Sequence, residues 1–211
     1  LFNLRRMLMN KSFIIKIILL CLVTIKVSAI EKVILFGDSL MAGYGLSKEQ
    51  HLSVVLQNSL TLEGHNIKII NGSVSGSTSA GGLNIVEWTL SENNIDLMIL
   101  CLGANDMLRG IQPSETGQNL ESIIKIAQSK KIEIILAGML APTSYGIEYK
   151  KKFDQIYSNL SKKYDLKFIP FLLEGVAFNP SLNLSDGMHP NSKGTIVISN
   201  TLKKSILNYI N

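Results

Sequence analysis

Lys32-Val33-Ile34-Leu35-Phe36-Gly37-Asp38-Ser39-Leu40 passes from an unbroken apolar run into glycine, acid and hydroxyl. A β-branched and aromatic run of this kind suits a strand buried on both faces of a parallel sheet. Met41-Ala42-Gly43-Tyr44-Gly45 is too rich in glycine to extend it, so Ser39 falls at the C-terminal end of a strand. In open α/β sheets that edge is where ligands bind. Ser39 is therefore the residue around which the rest of the chain is read.

Outward from this stretch, helical and extended patterns alternate. Leu52, Val55, Leu56 and Leu60 recur at helical spacing within 47–62, with Ser47 as N-cap and Gly64 as the stop. Residues 67–70 read as a second strand and 71–78 as a loop, followed by a helix through Trp88 to Glu92. The apolar run 95–102 is a third strand, ending at Gly103-Ala104-Asn105-Asp106. A helix over 113–131, a strand over 132–137, a helix marked by Tyr149, Phe153, Ile156, Tyr157 and Leu160, and a strand near 166–169 follow. Residues 170–191 are mostly irregular, and Ser192 caps a last helix. No repeat or linker divides the pattern. Five strands alternating with helices predict a single three-layer α/β/α domain with a five-stranded parallel sheet, flavodoxin-like in outline.

Composition narrows the function. With 46% hydrophobic residues, the 211-residue chain has ample material for one large core. The formal charge of +5 suggests an anionic partner until it is located. Arg5, Arg6, Lys11, Lys16 and Lys26 all lie in residues 1–29, which hold no acid; removing these five from 21 basic residues leaves 16 against 16 acidic ones. Residues 30–211 are formally neutral, and no nucleic-acid partner is expected. The leader has a basic start, an apolar stretch over 13–23 and the small-residue ending Val27-Ser28-Ala29, so residues 1–29 read as a signal peptide cleaved after Ala29. The alternative is an uncleaved anchor, against which the run is shorter than the roughly 20 residues a spanning helix needs and Lys26 interrupts its extension. That predicts a periplasmic or secreted protein with no membrane span once the leader is removed. Cys21 leaves with the leader. Cys101, among Ile99, Leu100 and Leu102, reads as a buried small hydrophobe and not a nucleophile.

A serine hydroxyl needs a base within hydrogen-bond reach and a group that orients the base. Three histidines are available. His51 lies in the first helical segment and His65 in a turn, where solvent exposure is the expectation. His189 is preceded by Asp186 at a spacing of three and followed by Pro190, so the carboxylate can face the ring and select its tautomer. Acyl transfer further needs donors for the developing oxyanion. The Gly76 N–H and the Asn105 amide stand on strand-end loops along the same sheet edge as Ser39, and the Ser39 N–H is a third candidate. Asp38 reads as a structural residue of the turn, too close along the backbone to reach the far side of His189.

The segments Gly37-Asp38-Ser39-Leu40, the Gly76 loop, Gly103-Ala104-Asn105-Asp106 and Asp186-Gly187-Met188-His189-Pro190 resemble, in order, the four sequence blocks of the SGNH (GDSL) hydrolase superfamily. Gly43-Tyr44-Gly45, residues 73–82 and Asn105-Asp106-Met107-Leu108-Arg109-Gly110 are similar to its bacterial thioesterase, lysophospholipase and arylesterase branch. The resemblance implies a serine esterase acting on carboxylic esters, acyl thioesters or lysophospholipids, with neither metal nor organic cofactor. It implies Ser39, Asp186 and His189 as catalytic residues, and Ser39, Gly76 and Asn105 as the oxyanion hole. Leu108, Ile111, Pro142 and Tyr145 are the candidates for holding the acyl chain. Ser77, where relatives often carry an acid, and the middle of loop 140–146 depart from the pattern.

Three other readings compete. A carbohydrate-deacetylating esterase would share fold and triad. An ordinary α/β-hydrolase would show Gly-x-Ser-x-Gly, whereas Met41 stands at the final glycine. A flavodoxin-like binding protein could cradle a phosphate in the loop over 73–78, yet it leaves Asp186 and His189 without a task.

Overall fold

A computed structural model of the chain describes residues 30–91 and 94–210. The leader over residues 1–29 with its Cys21, and the expected helix end at Glu92, lie outside them. The opening apolar run is strand β1 (Lys32–Gly37), buried from Val33 onward. Strands β2 (Lys68–Asn71), β3 (Leu97–Cys101), β4 (Glu133–Ala137) and β5 (Lys167–Ile169) follow. All pair in parallel, in the order β2-β1-β3-β4-β5. The chain is thus the single α/β domain with a five-stranded parallel sheet that the alternation predicts.

Helices α1 (Ser39–Ala42), α2 (Leu52–Leu62), α3 (Ser79–Thr89), α4 (Ala104–Leu108), α5 (Pro113–Ser129), α6 (Ile147–Lys163) and α7 (Ser192–Ile210) complete the domain. From β1 the chain steps outward to β2, then returns past β1 to β3 and continues to β4 and β5. Right-handed crossovers require helices on opposite faces for opposite directions of travel. Accordingly α2 packs with α7 as one layer, and α5 packs between α3 and α6 as the other. The reversal also creates a switch point between β1 and β3, where the loops leaving the two strands diverge and open a crevice. Ser39 follows one of these strands and Asn105 the other.

Two packing details fix that crevice. Gly37 pairs with Cys101 across β1 and β3, and a Cβ on Gly37 would lie 2.7 Å from the Cys101 carbonyl oxygen. Only glycine lets the strands stay paired up to the site. Cys101 is buried and burial pushes its thiol pKa well up, in keeping with a small hydrophobe. Around it, Phe36, Leu100, Phe153 and Tyr157 are almost wholly buried; truncating Phe36 to alanine would cost about 3–5 kcal/mol. The Tyr157 hydroxyl donates to the Leu102 carbonyl at 2.9 Å, so its polar tip is satisfied inside the core.

Some boundaries differ from expectation. Ser47 opens a short 3-10 turn (Lys48–Gln50), with its N–H donating to the Gln50 side chain at 3.4 Å, and α2 begins only at Leu52. His51 is at the junction and half-buried, not exposed: its Nε2 lies 3.3 Å from the Leu46 carbonyl and its ring fills the space beside Gly43. At α7, Asn191 rather than Ser192 is the cap, its Oδ1 accepting from the Lys193 and Gly194 N–H groups at 2.9 and 3.2 Å. An amide one position earlier satisfies the free donors of the first turn better than the serine can.

Candidate active site

Asp38 caps the short helix α1, its Oδ1 accepting the Leu40 N–H at 3.0 Å. This turn stops the strand and sets Ser39 at the crevice. Ser39 Oγ lies 2.9 Å from His189 Nε2, and His189 Nδ1 lies 2.7 Å from Asp186 Oδ2. The carboxylate therefore favours the tautomer with hydrogen on Nδ1, leaving Nε2 to accept the serine proton. Asp186 itself is locked: its Oδ1 accepts the N–H groups of Met188 and His189 at 2.8 and 2.9 Å. Those backbone donors, with the imidazole, hold its pKa down at about 2. The His189 carbonyl accepts the Leu184 N–H at 2.7 Å, and Pro190 bridges to Asn183, so the irregular segment before α7 is pinned where the base stands.

The oxyanion candidates converge on the same edge. Gly76 adopts φ +78, and nothing lies within 4 Å of where its Cβ would be, so the loop is open beside its backbone. Among the described residues no hydrogen bond occupies its N–H, nor that of Ser39. Asn105 Nδ2 donates to Asp38 Oδ2 at 3.2 Å and to the Ser77 carbonyl at 3.1 Å. Both amide hydrogens are thus engaged, and serving an oxyanion draws one of them into a shared bond.

Beside Ser39 opens a cavity of about 400 Å³ whose wall includes Met107, Leu108, Met139, Leu140, Pro142 and Phe171. Of the residues expected to hold the acyl chain, Leu108 and Pro142 lie in this wall. Ile111 and Tyr145 do not. The Ile111 carbonyl accepts the Tyr149 hydroxyl at 2.8 Å, and the Tyr145 ring packs on Tyr149 with centroids 5.6 Å apart, so both meet α6 through Tyr149.

Several residues at the site carried no role in the sequence reading. Tyr44 packs against the His189 ring, with centroids 4.5 Å apart. Phe178 stands exposed at the cavity rim with φ +62, unusual for a non-glycine residue. Asp106 is fully buried, accepting from the Ser79 N–H at 2.8 Å, from the Ser79 hydroxyl, and from Thr116 Oγ1 at 3.3 Å. It thereby ties the Gly76 loop to α4 and α5. A block match named the motif but not this network, because its partners lie far apart in sequence. Among the described residues no three His, Cys, Asp or Glu side chains cluster as metal ligands would, and no helix is long and apolar enough to cross a membrane.

A serine hydroxyl bonded to an imidazole that is bonded in turn to a carboxylate, at the switch point of a parallel sheet, defines an α/β serine hydrolase. The sequence pattern of the GDSL-like Lipase/Acylhydrolase family matches residues 35–195, and the chain belongs to that family. It is 35% identical to Esterase TesA of Pseudomonas aeruginosa, over 77% of this chain and 81% of that protein. It is 31% identical to Thioesterase 1/protease 1/lysophospholipase L1 of Escherichia coli, over 91% of each. The crystal structure of the psychrotrophic esterase EstA from Pseudoalteromonas sp., inhibited by monoethylphosphonate, superimposes with a TM-score of 0.82 at 30% identity, covering 86% of this chain and 99% of that one.

Proposed function

We propose that the chain hydrolyses carboxylic esters and acyl thioesters through an acyl-enzyme on Ser39. His189 Nε2 takes the hydroxyl proton as Ser39 Oγ attacks the carbonyl carbon. The oxyanion is met by the N–H groups of Ser39 and Gly76 and by the Asn105 amide. As the tetrahedral intermediate collapses, the imidazolium gives its proton to the leaving oxygen or sulfur. Water then repeats the cycle on the acyl-enzyme, with His189 as base. Asp186 holds the ring and offsets its transient charge without itself taking the proton.

The single observation that carries this reading is the continuous chain of hydrogen bonds from Ser39 Oγ through His189 to Asp186. The apolar wall formed by Met107, Leu108, Leu140 and Phe171 supports an aliphatic acyl group and gives a sugar-borne acetyl ester nothing polar to bind there. The relatives named as esterase and thioesterase point to the same substrate class. On the sequence pattern of residues 1–29, we further propose export through a leader cleaved after Ala29, with residues 30–211 as the mature hydrolase; N-terminal mass analysis of the secreted protein checks it, and an intact leader would contradict it.

Rates on p-nitrophenyl esters of increasing chain length, for wild type and Ser39→Ala, test the enzymatic claim. Turnover of butyryl to octanoyl esters above the acetyl ester, abolished in the variant, is the expected result. A preference confined to acetyl would instead favour the deacetylase reading.

A further inference from the structure

Gly76 is the third residue of a four-residue turn that closes through the Ser77 N–H on the Val74 carbonyl at 3.1 Å. Its positive φ marks this as a type II turn, in which the third residue takes the left-handed conformation. Type I and type II turns differ by rotation of the central peptide. Here the central peptide joins Ser75 to Gly76 and carries the Gly76 N–H. One form of the turn offers that N–H to an oxyanion; the other turns it away and brings the Ser75 carbonyl round in its place. Glycine tolerates both, so something outside the turn has to choose.

Two side chains hold the turn just beyond that peptide. Arg109 Nη2 donates to the Gly76 carbonyl at 3.0 Å, and Asn105 Nδ2 donates to the Ser77 carbonyl. Both come from α4 and its C-cap, and the Arg109 backbone is itself fixed there by its N–H on the Asn105 and Asp106 carbonyls at 3.1 and 3.2 Å. On the near side the Val74 N–H donates to the Gly37 carbonyl at 3.0 Å. Among the described residues Arg109 forms no ion pair, and the Gly76 carbonyl is the one described acceptor of its guanidinium. An exposed guanidinium spent on a loop carbonyl, with no acid beside it, is an expensive way to cover surface and an effective way to fix a peptide plane.

We propose that Arg109 is a positioning residue: by holding the Gly76 carbonyl it keeps the 74–77 turn in the form that presents the Gly76 N–H to the oxyanion. This rests on the reading of Gly76 as an oxyanion donor. A hydrogen bond from a charged donor biases such a two-state equilibrium by roughly 10- to 100-fold, and loss of one oxyanion donor lowers turnover by about 100- to 1000-fold. Releasing the clamp therefore lowers kcat substantially without touching the substrate cavity.

The experiment compares wild type with Arg109→Met, which keeps the aliphatic stem and removes every donor, with Arg109→Lys, and with Ser39→Ala. Hydrolysis of p-nitrophenyl butyrate is measured alongside inhibition by butylboronic acid, whose tetrahedral serine adduct places an oxygen where the oxyanion forms. For Arg109→Met the expected result is a kcat about 10- to 100-fold lower, a KM within about twofold, and boronate affinity weakened in step with kcat. Arg109→Lys should recover a large part of both, since it restores a charged donor. An unchanged kcat in Arg109→Met would overturn the proposal, as would a kcat loss with unchanged boronate affinity or without recovery in Arg109→Lys. Ser39→Ala separates the two levels: if it retains turnover, the acyl-enzyme reading itself fails, whereas an inactive Ser39→Ala beside a fully active Arg109→Met removes the clamp alone.

Discussion

Asp38 is the buried acid next to Ser39, and replacing it with asparagine separates stability from catalysis. Burial raises its pKa from 3.8 to about 6, partly opposed by the hydrogen bonds from the Leu40 N–H and the Asn105 amide. A native pKa above the unfolded one means that the folded protein holds a proton which the unfolded chain has already released between about pH 4 and 6. Stability thus falls as pH rises through that window and levels off above about pH 7. A shift of about two units corresponds to about 3 kcal/mol. Asp38→Asn is neutral at every pH and escapes this loss. Its offset at about pH 3, below both pKa values, where the acid is mostly protonated in both states, reports the changed hydrogen bonds alone. The stability difference, variant minus wild type, should therefore grow by about 3 kcal/mol between pH 3 and pH 8, measured by urea unfolding across that range. Activity should move the other way, because an asparagine amide facing Asn105 disturbs the Asn105–Asp38 bond. A stability difference flat across pH to within about 0.5 kcal/mol would refute the argument that Asp38 is ionised in the fold at a desolvation cost.

Three other perturbations have defined outcomes. Asp186→Ala removes the group that holds His189, and kcat should fall by about 10³- to 10⁴-fold on p-nitrophenyl butyrate; because hydrogen bonds hold the Asp186 pKa down at about 2, loss of the Asp186 charge should leave no inflection in the wild-type pH–rate profile above about pH 4. Leu140→Trp narrows the apolar cavity, so kcat/KM for octanoyl esters should drop by about tenfold or more while acetyl esters are spared, read from a chain-length series. Gly37→Ala forces a Cβ against the Cys101 carbonyl and should destabilise the fold by about 1–3 kcal/mol in urea unfolding, with the β1–β3 pairing and the position of Ser39 disturbed together.

The fold was readable because β1, β3 and β4 are apolar runs of strand length that end at or just before Gly37, Gly103 and Gly138, so the alternation and those strand ends survive without any tertiary information. The hydrogen-bonded arrangement of Ser39, His189 and Asp186 was readable for a related reason: Asp186 and His189 are local in sequence, and Ser39 sits directly after the most strongly patterned strand. Helix ends were less so, since Ser47 pairs with Gln50 to cap a 3-10 turn that precedes α2, and Asn191 takes the first-turn donors of α7 that Ser192 was expected to serve. The cavity was half legible. Leu108 and Pro142 lie in its wall, but Ile111 and Tyr145 do not; the Ile111 carbonyl and the Tyr145 ring both meet Tyr149 of α6, a contact that the sequence pattern does not show. The same distance hid the buried Asp106 network, the Tyr44 contact with His189 and the Arg109 clamp, whose partners are each separated by tens of residues.

Ser39 as the covalent nucleophile is the point on which everything else depends. Treatment with a p-nitrophenyl alkylphosphonate, followed by intact-protein and peptide mass analysis, measures it directly. One phosphonyl group per chain on the peptide containing Ser39, formed in step with loss of esterase activity and absent from Ser39→Ala, is the predicted result. Labelling of another residue with Ser39 unmodified, or full esterase activity in Ser39→Ala, would contradict it.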